Sequence, residues 1–519
     1  MFITKEDLVR LRDEELERMV PEGLRFYLKP FRHQLISLVW AKDRNAIGLA
    51  HEMGTGKTKI AIDWLRMKKC KKILVVGVNA ILENWKEEFR INAGREYKIV
   101  VLGGESSEEK DRILKEDKYD VYIINYEGLY YRNANGKSEF KIRNWKQTVD
   151  SIIETVKDRV LEGLKREWDA IVIDESRSIC HIESIRTRAV LYLSRFAKYK
   201  VVMSGTPVVK LLTEIFPQQY VIDGGMEFGI MPKAFMYKLY DVEYKPLGWT
   251  GKRIPVMYEK KGATEYVRKK MNRWWLRFEK VECVDLPEKI YEDRYVKLEG
   301  SQMIDYIKLK KESRIGVYLK NKNYKELQLA LMRLMQICGG YLKVEDDVKV
   351  YKNNAKLEEL KELLEGELNG KKIVISAVFK AEQRGIIEML KKLGIRYVAI
   401  IGGMSPEEIK KAEREFLYND KVKCVVLSPK VGARGINLAI ADYVVLYSMS
   451  FNYEEIVQLE DRVHRLPPKD LAEKLKDKKC VTYIRLIAKD TVDENVILVI
   501  NRDKKTIEQV FAEIKEENI

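Results

Sequence analysis

Cysteine is sparse and scattered in this chain: Cys70, Cys180, Cys283, Cys338, Cys424 and Cys480 are its six, with no Cys-x-x-Cys pair among them. That spacing argues against a zinc ribbon and a disulfide framework, and leaves the thiols as small buried hydrophobes. Histidine is scarcer, at four residues, and His33, His181 and His464 show no metal-ligand spacing. No apolar run approaches the roughly 18 residues that a membrane span requires. The opening Met-Phe-Ile-Thr-Lys-Glu-Asp lacks the charged-then-apolar order of a secretion signal. The expectation is a cytoplasmic protein with no membrane partner. There is no internal repeat of fixed period and no long low-complexity tract. What is abundant is positive charge. The net charge of +16 favours a polyanionic partner, although Lys/Glu-rich surfaces also occur in heat-adapted proteins.

A chain of 519 residues exceeds what one hydrophobic core usually serves, which suggests two or three domains. Short apolar runs alternate with charged amphipathic stretches, the pattern of strands buried on both faces between surface helices. In the first half the runs are Ile73–Val78, Val121–Ile124, Ile171–Ile173 and Val201–Met203. In the second they are Ile373–Val378, Tyr397–Ile401, Cys424–Ser428, Tyr443–Tyr447 and Thr482–Ile487. The reading is an α/β fold with two parallel-sheet lobes in tandem. The expected boundaries are 1–215, a helical and irregular connecting region at 216–350, and 351–519. Within that region the pair Trp274-Trp275 is read as core packing in preference to a stacking wedge on nucleic-acid bases.

Two local signals carry chemistry. His51-Glu-Met-Gly-Thr-Gly-Lys57-Thr58 follows the apolar run Ala46–Ala50 and precedes a predicted helix. Gly54 and Gly56 have no Cβ, so with Thr55 between them the backbone can turn its N–H groups toward a polyphosphate. Lys57 then reaches the β- and γ-phosphates, and Thr58 offers a hydroxyl to Mg²⁺. His51 stands where the strict pattern has its first glycine. The second signal is Ile171-Val-Ile-Asp174-Glu175-Ser-Arg177, a strand running into two adjacent carboxylates. Asp174 suits Mg²⁺, and Glu175 suits proton abstraction from the water that attacks the γ-phosphate.

Taken in order, the motifs resemble those of superfamily 2 helicase-type ATPases, and among them the Swi/Snf-type DNA translocases, over roughly residues 26–500. Pro30-Phe-Arg-His-Gln34 resembles the adenine-reading segment, and Glu52–Thr58 the phosphate loop. Asn84-Trp85-Lys86-Glu87-Glu88 and Asn125-Tyr126-Glu127 resemble segments on the nucleic-acid side of the first lobe, and Ser204-Gly-Thr206-Pro207 the segment that couples hydrolysis to strand binding. Asp285-Leu-Pro-Glu-Lys289 resembles the lead into the second lobe. Ser428-Pro-Lys-Val-Gly-Ala-Arg434-Gly435-Ile-Asn437-Leu and Gln458-Leu-Glu-Asp-Arg462-Val-His-Arg465 resemble that lobe's two motor motifs.

The resemblance implies RecA-like lobes, ATP and Mg²⁺ as cofactors, and a monomer acting on duplex or branched DNA, with RNA as the alternative strand. It places Gln34, Gly435 and Asn437 on the nucleotide, and Gln458 with Arg462 and Arg465 in catalysis. Arg465 becomes the arginine finger, the guanidinium being suited to charge spread over phosphoryl oxygens. It also implies strand contacts from Asn84, Asn125, Ser204, Thr206, Ser376, Ser428 and Arg434. Two rival functions remain open: a strand-separating or branch-migrating helicase, and a nonhydrolysing ATP-dependent clamp. Arg177 replaces the usual box histidine, and Leu466-Pro-Pro-Lys replaces the common Ile-Gly-Gln ending. With no insertion of the kind that chromatin remodellers carry, nucleosome remodelling is not expected.

Overall fold

The computed structural model describes residues 3–21, 23–131, 146–246, 253–283, 286–312, 324–344, 347–432, 436–465, 471, 478 and 480–511. The chain forms two compact units, Met1–Val242 with Met257–Val284 and Lys505–Ile519, and Glu243–Val256 with Asp285–Lys504.

In chain order the strands of the first half are β1 (Ala46–Leu49), β2 (Ile73–Gly77), β3 (Ile99–Val101), β4 (Val121–Asn125), β5 (Trp168–Asp174), β6 (Ala197–Met203), β7 (Tyr240–Pro246), β8 (Arg253–Glu259) and β9 (Trp275–Leu276). Seven of them build a sheet in the order β3-β4-β2-β5-β6-β1-β9, every described pair parallel, while β7 and β8 form a separate two-stranded sheet. Every residue of β1, β2 and β4 is buried, which is why these segments read as continuous apolar runs rather than alternating ones. Parallel strands of one sheet need crossover connections, and the helices Lys57–Met67, between β1 and β2, and Leu82–Ala93, between β2 and β3, supply two of them.

The connecting stretch is shared between the two units. Residues 216–242 and 257–284 belong to the first, and β9 extends its sheet beside the strand that carries the phosphate loop. Trp275 is buried and lies flat on Gly48, where an added Cβ would stand 2.2 Å from the indole. A larger residue at Gly48 would expel β9. The core reading thus holds for Trp275, while Trp274, in the turn just before the strand, is only partly buried.

The second unit carries β10 (Glu288–Val296), a small antiparallel pair β11 (Tyr341–Val344) and β12 (Asp347–Val350), then β13 (Ile373–Ser376), β14 (Tyr397–Ile400), β15 (Cys424–Leu427), β16 (Tyr443–Leu446) and β17 (Cys480–Ala488). Its sheet runs β10-β17-β16-β13-β15-β14, again all parallel. Two parallel-sheet lobes are therefore what the sequence pattern led one to expect.

Beneath this sheet sits a buried polar cluster. Lys356 Nζ pairs with Asp493 at 2.6 Å and donates to the Tyr447 carbonyl at 3.0 Å. Glu382 Oε2 accepts from the Ser448 hydroxyl at 2.5 Å and from Phe379 N–H at 3.1 Å. Burial pushes the Glu382 carboxyl up to about 7, the hydrogen bonds from Ser448 and Phe379 and the nearby Lys356 only partly offsetting it. A carboxyl whose folded pKa exceeds its unfolded value favours the native state while protonated, so this contribution is lost as pH rises through about 7. Glu382→Gln keeps an acceptor without the ionisation. Its melting temperature is expected to fall less than wild type between about pH 5 and about pH 8, followed by circular dichroism; an identical fall would remove Glu382 as the cause.

Candidate functional site

The residues singled out in the first half converge on the carboxyl-terminal edge of the first sheet, where an α/β sheet presents its functional groups. After β1 the chain turns with Gly54 at φ 78° and Gly56 at φ 79°, a left-handed conformation that costs glycine little. Gly56 caps the helix Lys57–Met67, and a Cβ there would lie 2.2 Å from Gln34 Nε2. The helix N-terminus offers free N–H groups and a positive dipole end to an anion. Lys57 Nζ folds over the turn, donating to the carbonyls of His51 at 3.0 Å and Glu52 at 3.1 Å. Thr58 is half-buried in the first helical turn.

The loop is held from outside. Gln34 accepts from Phe31 N–H through Oε1 at 3.0 Å, while its Nε2 donates to the Thr55 carbonyl at 3.2 Å. His33 Nε2 donates to the same carbonyl at 2.7 Å. His51, the departure from the strict glycine pattern, is fully buried. Its Nδ1 donates to the Leu276 carbonyl at 3.0 Å, and its Nε2 meets the Ser37 hydroxyl at 2.9 Å. Burial, with Lys57 nearby, drives its pKa well below the ordinary range, so it stands as a neutral imidazole pinning the loop's base to β9.

Asp174 closes β5 and is buried. Its Oδ2 accepts from the Trp85 indole N–H at 2.8 Å, and its Oδ1 from Glu175 N–H at 2.9 Å. Burial raises its pKa; the Trp85 bond and the Lys57 charge oppose that rise. Lysine and aspartate of the two motifs thus share one electrostatic neighbourhood. Glu175 is half-buried and holds φ 50°, a left-handed conformation unusual for a residue with a Cβ. The Tyr126 hydroxyl braces this turn by donating to the Asp174 carbonyl at 2.7 Å.

The residues expected on the strand side differ in exposure. Asn84 is exposed, whereas Asn125, Ser204 and Thr206 are buried. Asn125 Oδ1 has no hydrogen-bond partner among the described residues. The Ser204 hydroxyl oxygen accepts from Thr206 N–H at 3.1 Å and so shapes its own turn.

In the second unit, the helix Tyr453–Val463 carries Gln458 and Arg462, both half-buried, with Arg465 just beyond it. The segment leading into this unit meets it directly: His464 Nε2 donates to the Pro287 carbonyl at 2.8 Å, and Lys289 pairs with Glu460 at 2.7 Å. Arg465 donates to the Ile436 carbonyl at 3.2 Å, and Leu438 N–H donates to the Arg462 carbonyl at 2.8 Å. Burial lowers the Arg465 pKa, against the pull of Asp461 and Glu413. Asn437 turns its Oδ1 to Ala439 N–H at 3.0 Å. Ser376 and Ser428 are buried near the ends of β13 and β15, and Ser376 Oγ has no partner among the described residues. Arg434 and Gly435, like Asp285, lie outside the described residues.

The SNF2-related domain matches residues 31–343, and the helicase conserved C-terminal domain matches residues 355–467. The chain belongs to the SNF2-related family. It is 24% identical to the transcription regulatory protein SNF2 of Saccharomyces cerevisiae over 86% of this chain and 25% of that one. It is also 24% identical to the uncharacterized ATP-dependent helicase MG018 of Mycoplasma genitalium, over 94% of this chain and 42% of that one. It thus spans about a quarter to a half of the length of these relatives. Among solved structures, the Sulfolobus solfataricus SWI2/SNF2 ATPase core in complex with dsDNA is similar, with 20% identity, a TM-score of 0.42, and coverage of 95% of this chain and 98% of that one. Among the described residues no helix is long and apolar enough to cross a membrane.

Three residues at these SNF2-related motifs escape sequence reasoning. Gln218 is fully buried: its Oε1 accepts from the Ser176 hydroxyl at 2.7 Å, and its Nε2 donates to the carbonyls of Pro207 at 2.7 Å and Glu214 at 2.9 Å. It therefore ties the acidic box, where Arg177 replaces histidine, to the Ser-Gly-Thr-Pro segment. Lys280 is buried over the phosphate loop, its Cε 3.0 Å from where a Gly54 Cβ would stand and its N–H donating to Glu52 Oε2 at 2.9 Å. Glu413 accepts from Asn437 N–H at 2.5 Å and lies close enough to Arg462 and Arg465 for their charges to lower its pKa against the dominant upward push of burial. Each lies outside the motif it serves, and none has a local signature. For Gln218→Leu we expect basal ATP turnover to be kept within about threefold while stimulation by DNA falls about tenfold, the cost of losing buried hydrogen bonds. Turnover with and without duplex DNA reads both; an unchanged stimulation ratio would show that the link is only structural.

Proposed function

We propose that this chain is a DNA-stimulated ATPase that translocates on duplex or branched DNA as a monomer in the cytoplasm. The observation that carries this reading is the phosphate-loop Lys57 acting on the buried Asp174 at the end of β5, with Glu175 beside it. Family membership supports it, as does the net charge of +16, which suits a phosphate backbone.

The loop N–H groups and Lys57 hold the β- and γ-phosphates, and Gln34 and Asn437 serve the nucleotide. Thr58 and Asp174 fit Mg²⁺, since a hydroxyl and a carboxylate are hard oxygen donors and that ion keeps water and phosphate for its other positions. When bound, Mg²⁺ neutralises charge on the phosphate oxygens. Glu175 takes a proton as the water oxygen bonds to the γ-phosphorus. The bond to the bridging oxygen breaks, and ADP leaves with the electron pair. Arg462 and Arg465 stabilise the charge that develops, with Gln458 ordering the water or the arginines.

The strand contacts fall to Asn84, Asn125, Ser204, Thr206, Ser376, Ser428 and Arg434. Hydroxyls and amides at phosphates track a backbone without reading its sequence. Asn125 Oδ1 and Ser376 Oγ, unpartnered among the described residues, support this assignment.

The test is ATP turnover against single-stranded DNA, duplex DNA, a four-way junction and RNA at matched phosphate concentration. Stimulation strongest with duplex or junction DNA supports the reading, while stimulation by RNA alone would reassign the substrate. Displacement of a triplex strand without fork unwinding separates translocation from strand separation. Phosphate release no higher than that of Lys57→Ala, with or without DNA, would leave only a nonhydrolysing clamp.

A further inference from the structure

At the opposite edge of the first sheet from the phosphate loop, a cavity of about 360 Å³ opens where β1 and β6 begin. Arg44, Lys198, Lys200, Asp223, Arg273 and Trp274 are among its lining residues. None of them belongs to the motifs of the motor.

Its charge is unbalanced. Four cations face two carboxylates, Asp43 and Asp223, and Asp223 is already committed. Its Oδ2 accepts from Gln219 Nε2 at 2.9 Å and from Glu227 N–H at 3.0 Å, and its Oδ1 from Gly225 N–H at 2.7 Å. Lys200 is half-buried, yet makes no hydrogen bond from its ammonium and no ion pair with any described residue. Burial lowers its pKa, with Asp223 offsetting part of that. Arg44 is buried with its guanidinium 3.9 Å above the Trp40 ring, and burial lowers its pKa to about 10, Asp43 opposing the fall and Arg273 adding to it. Cations crowded in this way are stabilised by an anion.

The aromatic component is Trp274. Its indole N–H donates to Glu227 Oε1 at 3.1 Å, and Glu227 is itself paired with Lys270 at 2.9 Å. The ring is thereby fixed by its polar edge while lining the cavity. A half-buried unpaired ammonium, further cations and a fixed indole, in a space of small-ligand size, match a phosphate joined to a flat base. A carboxylate peptide would leave the indole unused, and a duplex is too wide for the cavity.

We propose that this cavity binds one nucleotide unit, with its phosphate among Lys200, Lys198 and Arg44 and its base against Trp274. The unit is either a free nucleotide or one residue of a single strand. The test is photo-crosslinking of the full chain with a short 4-thiothymidine oligonucleotide and with 4-thiothymidine monophosphate, followed by peptide mapping. The expected result is an adduct on Trp274 whose yield drops about tenfold in Lys200→Met, as for loss of one charged hydrogen bond. Arg273→Gln, on the exposed rim, is the second variant and should also lower the yield; unchanged basal ATP turnover confirms that both variants fold. An adduct from the oligonucleotide alone assigns a strand, and one from the monophosphate alone assigns a free nucleotide. Labelling confined to other residues, or equal yield in both variants, overturns the proposal. So does better protection of Trp274 by polyglutamate than by unlabelled oligonucleotide, which would mark an acidic protein segment instead.

Discussion

Replacing Arg465 by alanine is expected to lower DNA-stimulated turnover by about 10³-fold, the scale on which an arginine finger acts, with ATP affinity nearly unchanged. The guanidinium is half-buried, and desolvation lowers its pKa. Asp461 and Glu413 compensate in part, and the Ile436 carbonyl takes one N–H at 3.2 Å. Such a cation is positioned in advance, so its full interaction is available when charge spreads over the phosphoryl oxygens. Arg465→Lys retains charge but loses the planar fork, and should recover only a small part of the rate. Arg465 belongs to the second unit and Lys57 to the first, so a loss of this size also tests whether one catalytic event requires both. Turnover within tenfold of wild type, in a variant that melts normally, would remove Arg465 from the transition state.

How much of this was legible in the sequence depends on how local each feature is. The apolar run Ile73–Val78 marks β2 because both faces of a central parallel strand are buried, so hydrophobicity alone betrays it. The two-residue β9 has no such signal. Its position is set by pairing with β1 and by the bare face of Gly48, contacts more than two hundred residues apart. Trp274 ends the turn and Trp275 begins the strand, which is why one reading could not serve both. The phosphate loop and the acidic pair were legible because each is a short segment whose backbone shape and side chains work together. His51 was visible as a departure, but its bonds to Ser37 and Leu276 come from other elements. Gln218, Lys280 and Glu413 were invisible for the same reason, since a lone Gln, Lys or Glu on a helix most often faces solvent.

Changing Glu175 to glutamine is expected to lower turnover by about 10²- to 10⁴-fold, the range in which general-base catalysis contributes. Glutamine keeps the shape and an acceptor oxygen but cannot hold the proton released by the attacking water. The turn itself should survive. Asp174 Oδ1 accepts from the backbone N–H of residue 175, and Tyr126 braces the Asp174 carbonyl; neither bond involves the Glu175 carboxylate. ATP binding and the Mg²⁺ requirement should therefore stay near wild type in Glu175→Gln, whereas Asp174→Asn should raise the Mg²⁺ concentration needed. The φ of 50° adds an independent check. A residue with a Cβ held there carries strain, so Glu175→Gly should be equally inactive yet more stable than Glu175→Gln by up to about 1 kcal/mol. Fluorescent-nucleotide binding, phosphate release and thermal melting on the three variants separate the roles. A glutamine variant that hydrolyses ATP within tenfold of wild type would show that the proton leaves by another route, and the strained turn would then need a different explanation.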